Sequence, residues 1–180
     1  DNEEIAINCR EIRNLYFKPG NRFVHERLGW NLRMTNIQAA LGVAQLERLD
    51  ELLEKKRWIG QMYNQLLEKL SSIQLPLKET SYAKNIYWVY GLVLDDKLKF
   101  DAKEIMSNLH KNGIGCRPFF YPMHQQPVLI NAGLFKGEKY PIAERLYRQG
   151  FYLPSGLSLT EDQIMRVSFT LKKIFQIMKD

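Results

Sequence analysis

Apolar residues recur at helical spacing in several separate stretches of the chain. Ile5, Cys9, Ile12 and Tyr16 share one face, so residues Glu3 to Tyr16 read as a short amphipathic helix. Phe17-Lys18-Pro19-Gly20-Asn21 ends it, because Pro and Gly favour a turn, and a loop through Asn31 follows. From Ile37 through Leu41, Ala44, Leu49, Leu52, Ile59, Met62, Leu66 and Leu70 the spacing stays helical as far as Ser71, with no proline between. Thr35 and Gln38 have the T-x-x-Q spacing of a capping box and mark its start. At ~1.5 Å per residue this predicts one helix of roughly 54 Å, longer than a small domain is wide. It must run along a partner or join two domains. Its two ends differ: Ala39, Ala40, Gly42 and Ala44 suit close packing, whereas ERLDELLEKKR reads as solvated face. A domain boundary is therefore expected inside this helix, dividing residues 1–50 from 51–180.

Beyond it, SSIQLPLKET reads as an extended connector, and Asn85 to Leu94 as a strand rich in aromatic and β-branched residues. Asp101 with Glu104 repeats the capping pattern before a helix through Lys111, and Asn112-Gly113 ends it. Ile114 to Phe120 reads as a second strand, completing a β-α-β pattern. Pro141 to Gln149 predicts another helix, Phe151 to Leu153 a short strand, and Thr160 with Gln163 caps a final helix to Lys179. The pattern defines an α/β protein.

Composition narrows the function classes. With 45% hydrophobic and 26% charged residues the chain has no bias to disorder, and no apolar run approaches the roughly 20 residues of a membrane span. A net charge of +6 favours anionic partners. The charge is spread, however, with acids among bases in ERLDELLEKKR and KGEKYPIAERLYR, and no recognised nucleic-acid motif is present. A local site for a phosphorylated small molecule explains local clustering better than nucleic acid does. Cys9 and Cys116 lie far apart without metal-ligand spacing, so neither a disulfide framework nor a metal site is expected, and a reducing cytoplasm is the default. The amino terminus carries no signal-peptide pattern and no initiating Met, which suggests a cut chain.

Two clusters carry candidate chemistry. In RFVHERLGWNLRMT, the residues Arg22, His25, Asn31 and Arg33 gather just ahead of a helix start, where unpaired N–H groups and the helix dipole favour an anion. The local alternative has Asn31 capping a turn and Arg33 pairing with an acid such as Glu26. In CRPFFYPMHQQP, Arg117 suits a diphosphate and Phe119 a sugar or base face, while His124 is either a ligand-facing or a structural histidine. Cys116 reads as a buried small residue, not a nucleophile. Lys18, Lys55 and Lys56 read as surface residues.

These segments carry a resemblance. LGWNLRMTNIQAALGVAQLERLDEL, NIYWVYGLVL, GIGCRPFFYPMHQQP, GLFKGEKYP and GFYLPSGLSLT resemble, in order, the carboxy-terminal half of DegT/DnrJ/EryC1/StrS-type sugar aminotransferases, and within them the GDP-perosamine synthase group. The resemblance implies the end of a fold-type I large domain, a long linking helix and a small α/β domain. It implies pyridoxal 5'-phosphate (PLP) as cofactor, a nucleotide-linked keto sugar as substrate, an amino donor such as glutamate, and a homodimer. It places the Schiff-base lysine upstream of this chain, so no catalytic residue is expected here and the chain alone should be inactive. It gives Asn31 a contact to the cofactor phosphate across the dimer, with Arg33 beside it, and sets Arg22 and His25 at the sugar-nucleotide entrance. Pro118-Phe119 stands where the family often has His-Tyr, which removes a hydroxyl or imidazole contact there. A related PLP-dependent sugar dehydratase and a non-enzymatic binding module are the alternative readings.

Overall fold

Three helix starts are set by reciprocal caps. Thr35 Oγ1 accepts from Gln38 N at 3.3 Å while Thr35 N donates to Gln38 Oε1 at 2.9 Å. Asp101 and Glu104 exchange bonds of 3.0 Å each way, and Thr160 with Gln163 does the same at 3.0 and 3.3 Å. Each exchange satisfies backbone donors that an open helix end leaves unpaired. The computed structural model describes residues 1–18 and 20–179, and the side chains of Asn21, Arg22 and Lys179 also lie outside the described residues.

The chain divides into two units, Asp1–Leu49 and Asp50–Asp180. The first holds α1 (Glu3–Ile12), β1 (Phe17–Lys18), β2 (Asn21–His25) and α2 (Asn36–Glu47). Helix α1 ends four residues sooner than its apolar spacing predicts, because Leu15 and Tyr16 both take left-handed backbone (φ 58° each). The expected plain turn after it is an antiparallel hairpin, with Phe17 opposite His25 and their rings 5.0 Å apart. The helix expected to run unbroken to Ser71 is two. Arg48 leaves helical geometry (φ −109°, ψ 13°) between α2 and α3 (Leu49–Leu67), and its N–H turns to the carbonyls of Gln45 and Leu46. No Pro or Gly marks that break.

The second unit contains most of α3, then β3 (Ile73–Gln74), β4 (Tyr90–Leu94), α4 (Ala102–Lys111), β5 (Arg117–Pro118), α5 (Pro127–Asn131), α6 (Pro141–Gln149), β6 (Gly150–Leu153) and α7 (Glu161–Lys179). Its sheet order is β3-β4-β6-β5, every neighbouring pair antiparallel. Since β4 and β5 both oppose β6, they run parallel to each other with β6 between them, so α4 is the crossover of a split β-α-β unit. Alternation sorts the faces. Tyr90, Leu92, Leu94, Phe151 and Leu153 enter the core with Ile105 and Leu109 of α4 and Ile164 and Leu171 of α7. Gly91, Val93, Gly150 and Tyr152 face the other way. Strand β5 is shorter than the Ile114–Phe120 run predicts, because Pro118 has no N–H to give the ladder.

The strand read from Asn85 begins only at Tyr90. Tyr87 adopts φ 52° and lays its ring on Gly60 of α3, where an added Cβ would come within 2.3 Å of it. Asn64 on the same helix donates to the Tyr87 hydroxyl at 3.0 Å and accepts from the Tyr90 hydroxyl at 2.7 Å, so both the nitrogen and the oxygen of this buried amide have partners. Among the described residues no helix is long and apolar enough to cross a membrane.

Candidate functional site

In the first unit the loop ahead of α2 is built by its backbone. Trp30 N donates to the Ile12 carbonyl at 2.8 Å, Leu15 N to the Trp30 carbonyl at 3.1 Å, and Leu32 N to the Arg13 carbonyl at 2.9 Å. Gly29 permits this approach: a Cβ there would lie 2.5 Å from the Tyr16 nitrogen. The loop therefore delivers Asn31 and Arg33 to the start of α2. Asn31 is exposed; its Oδ1 accepts from Arg33 N at 3.4 Å, and its Nδ2 donates to no described residue. Arg33 reaches Asn14 Oδ1 at 3.4 Å, and Glu26 is taken by Lys18 at 3.4 Å. His25 donates from Nδ1 to the Leu15 carbonyl at 2.7 Å, which fixes its tautomer and leaves Nε2 as the free nitrogen. The Arg22 side chain lies outside the described residues.

In the second unit Arg117 stands directly opposite Tyr152 in the β5–β6 ladder, so both project from the outer face of the sheet. They line a cleft of about 250 Å³ with Val89, Cys116, Pro154 and Ser155. Phe119 projects from the same face. Its ring lies 5.0 Å from that of Tyr152 and fills the space that side chains on Gly91 and Gly150 would need. Burial pushes the Cys116 thiol up to about 11, which keeps it protonated and unreactive at neutral pH. Tyr152, Pro154 and Ser155 carry no obvious sequence signal beyond lying in GFYLPSGLSLT, and their pairing with Arg117 depends on strand register.

His124 does not share that cleft. It is 8% exposed, donates from Nε2 to Glu144 Oε1 at 2.9 Å, and packs its ring 4.9 Å from that of Tyr140. Glu144 also accepts from Tyr140 N at 3.2 Å, and the His124 hydrogen bond holds its carboxyl below the usual range. His124 and Glu144 border a separate cleft of about 630 Å³ together with the loop Phe135–Lys139. The three lysines read as surface residues are each engaged: Lys18 with Glu26, Lys55 over the Trp58 ring at 3.8 Å, and Lys56 with two backbone carbonyls. Lys56 is partly buried, and burial lowers its pKa. Among the described residues no group of three or more His, Cys, Asp or Glu is placed to hold a metal ion.

An α/β unit with an arginine-lined cleft, and an amide-presenting loop at a helix start, are the features on which comparison with known proteins bears. The chain belongs to the DegT/DnrJ/EryC1/StrS aminotransferase family, whose profile matches residues 1–172. It is 32% identical over 176 residues to a GDP-perosamine synthase of Vibrio cholerae, an alignment covering 97% of this chain and 47% of that protein. It is 33% identical over 180 residues to EpsN of Bacillus subtilis, to which a pyridoxal phosphate-dependent aminotransferase activity is provisionally assigned (99% and 46% covered). Its fold matches that of Helicobacter pylori PseC, an aminotransferase involved in pseudoaminic acid biosynthesis, with a TM-score of 0.85 at 22% identity, covering 98% of this chain and 47% of that one. The chain thus spans about half the length of the relatives it matches.

Proposed function

We propose that the chain is the carboxy-terminal part of a PLP-dependent aminotransferase. Its substrate is a 4-keto-6-deoxy nucleotide sugar of the GDP-perosamine type, its amino donor glutamate, and its setting a cytoplasmic homodimer. The observation that carries this reading is Asn31, whose amide stands exposed in the loop five residues ahead of α2, with Arg33 two residues on. Those donors fit a phosphate: a neutral amide, a guanidinium and a helix start together favour a compact anion. PLP, when bound, supplies the electron sink for amino-group transfer. Asn31 and Arg33 contribute grip on its phosphate, and His25 presents Nε2 at the entrance. The lysine that holds the cofactor lies elsewhere in the complete protein.

Arg117 is the substrate residue of the second unit. Its guanidinium is exposed on the sheet face and suits a bidentate bond to a diphosphate. Phe119, held against Gly91 and Gly150, packs on the Tyr152 ring that lines the cleft, and His124 acts through its bond to Glu144. At about 250 Å³ the Arg117 cleft takes one part of a nucleotide sugar, since sites that enclose a whole drug-sized ligand run to roughly 300–1,000 Å³. In the full-length protein Arg117→Ala should raise the KM for the nucleotide sugar about 10- to 150-fold, the equivalent of one lost charged hydrogen bond, and leave PLP content unchanged. Loss of PLP at constant KM would move Arg117 to the cofactor and overturn this assignment.

A further inference from the structure

Lys56 lies on α3, yet it ends at the walls of the Arg117 cleft. Its Nζ donates to the Trp88 carbonyl at 2.8 Å and to the Ser155 carbonyl at 2.6 Å, joining segments 32 and 99 residues away. Trp88 immediately precedes Val89, and Ser155 follows Pro154; Val89, Pro154 and Ser155 line the cleft with Arg117. Seven residues further along the same helix, Tyr63 donates to the Pro154 carbonyl at 2.8 Å. Two turns of α3 thus present two donors to one loop, one of which also holds the segment ahead of β4.

The chemistry of the group suits the task. An ammonium carries three donors on one small head, so it can bond two carbonyls that point at a single spot, which a hydroxyl with one proton cannot. Tyr63 holds only the Pro154 side, whereas Lys56 bonds both walls at once. The Trp88 side chain is 68% exposed, and the residues 154–156 after β6 form no strand or helix. Without Lys56 each carbonyl would have to find water, and each wall would lose its bond to the other.

We propose that Lys56 is a positioning residue that clamps the segments 87–89 and 154–155 against each other and so sets the width of the cleft in which Arg117 acts. The proposal rests on the substrate role of Arg117 given above, and the test separates the two. In the full-length protein, Lys56→Met keeps the aliphatic stem and removes the donors. Amide hydrogen exchange should then speed up in 86–89 and 155–157 together while α4 and α7 stay protected. The nucleotide-sugar KM should rise about tenfold at nearly constant kcat, with PLP content unchanged. A merely structural lysine would lower the melting temperature without that split. Unchanged exchange in either segment overturns the clamp. Faster exchange with an unchanged KM, in a protein where Arg117→Ala does raise KM, overturns its role in positioning. An Arg117→Ala protein with normal KM would fail the substrate reading instead, and the exchange result would still decide the clamp.

Discussion

The two units of this chain are stabilised by different means. In Asp50–Asp180, Leu92, Ile105, Leu109, Phe151, Ile164 and Leu171 are all at 0% exposure, gathered between one sheet face and α3, α4 and α7. In Asp1–Leu49, Tyr16 alone is buried among the described residues, while Leu28 is 87%, Ile37 77% and Met34 71% exposed. The second unit has the apolar burial that drives folding. The first is ordered by a capping box, a hairpin and the three backbone bonds that dock residues 30–32 on 12–15, and its apolar side chains are largely exposed. A unit with a buried core and one almost without therefore follow each other along the chain.

Core truncation should separate them most widely. Ile105→Ala or Leu92→Ala in the second unit should cost about 2–5 kcal/mol in urea unfolding, whereas Leu41→Ala in α2 of the isolated chain should stay within roughly 0.5 kcal/mol. Equal losses would erase the distinction.

Glycines sharpen it at smaller scale. Gly60→Ala pushes a methyl into the Tyr87 ring and should cost about 1–3 kcal/mol. Gly42→Ala meets nothing within 4 Å and should stabilise α2 by up to about 1 kcal/mol. Helix content and melting of the two variants check this pair. A stabilised Gly60→Ala protein would mean that Tyr87 is not seated on α3.

What was legible in the sequence follows the same division between local and distant causes. The caps at Thr35, Asp101 and Thr160, the helix Pro141–Gln149 and the strand ending at Leu153 depend on neighbours within a few residues, and the sequence displays them. The break at Arg48 carries no Pro or Gly. The loss of strand at 85–89 follows from Tyr87 meeting Gly60, 27 positions earlier, and the interleaving of β6 between β4 and β5 is a matter of topology. Of the candidate site, Asn31, Arg33, Arg117 and Phe119 could be named from their segments. Tyr152 could not be matched to Arg117 without register, nor Lys56 to two distant carbonyls, so Lys56 reads in sequence as one more surface charge. The separation of His124 from Arg117 into different clefts is likewise invisible along CRPFFYPMHQQP.

The smallest effects belong to acid. Arg145, hydrogen-bonded to Asp96, holds that carboxyl below the usual carboxylate range, as His124 does for Glu144. A depressed folded pKa gives stability that is present above the unfolded value, near 4, and is lost as pH falls through the folded one. Melting of the second unit should therefore decline below about pH 4, and Asp96→Asn with Glu144→Gln should flatten that decline. An unchanged slope would assign it to other carboxylates.

The most direct test of the account is the PLP dissociation constant of Asn31→Ala in the full-length protein, measured beside its apo-protein melting temperature. A lost hydrogen bond to a charged phosphate, worth about 1.5–3 kcal/mol, predicts PLP held roughly 10- to 150-fold more weakly with melting unchanged. Normal PLP affinity in a destabilised protein would contradict it, reducing Asn31 to the turn cap that its 3.4 Å bond from Arg33 N would then represent.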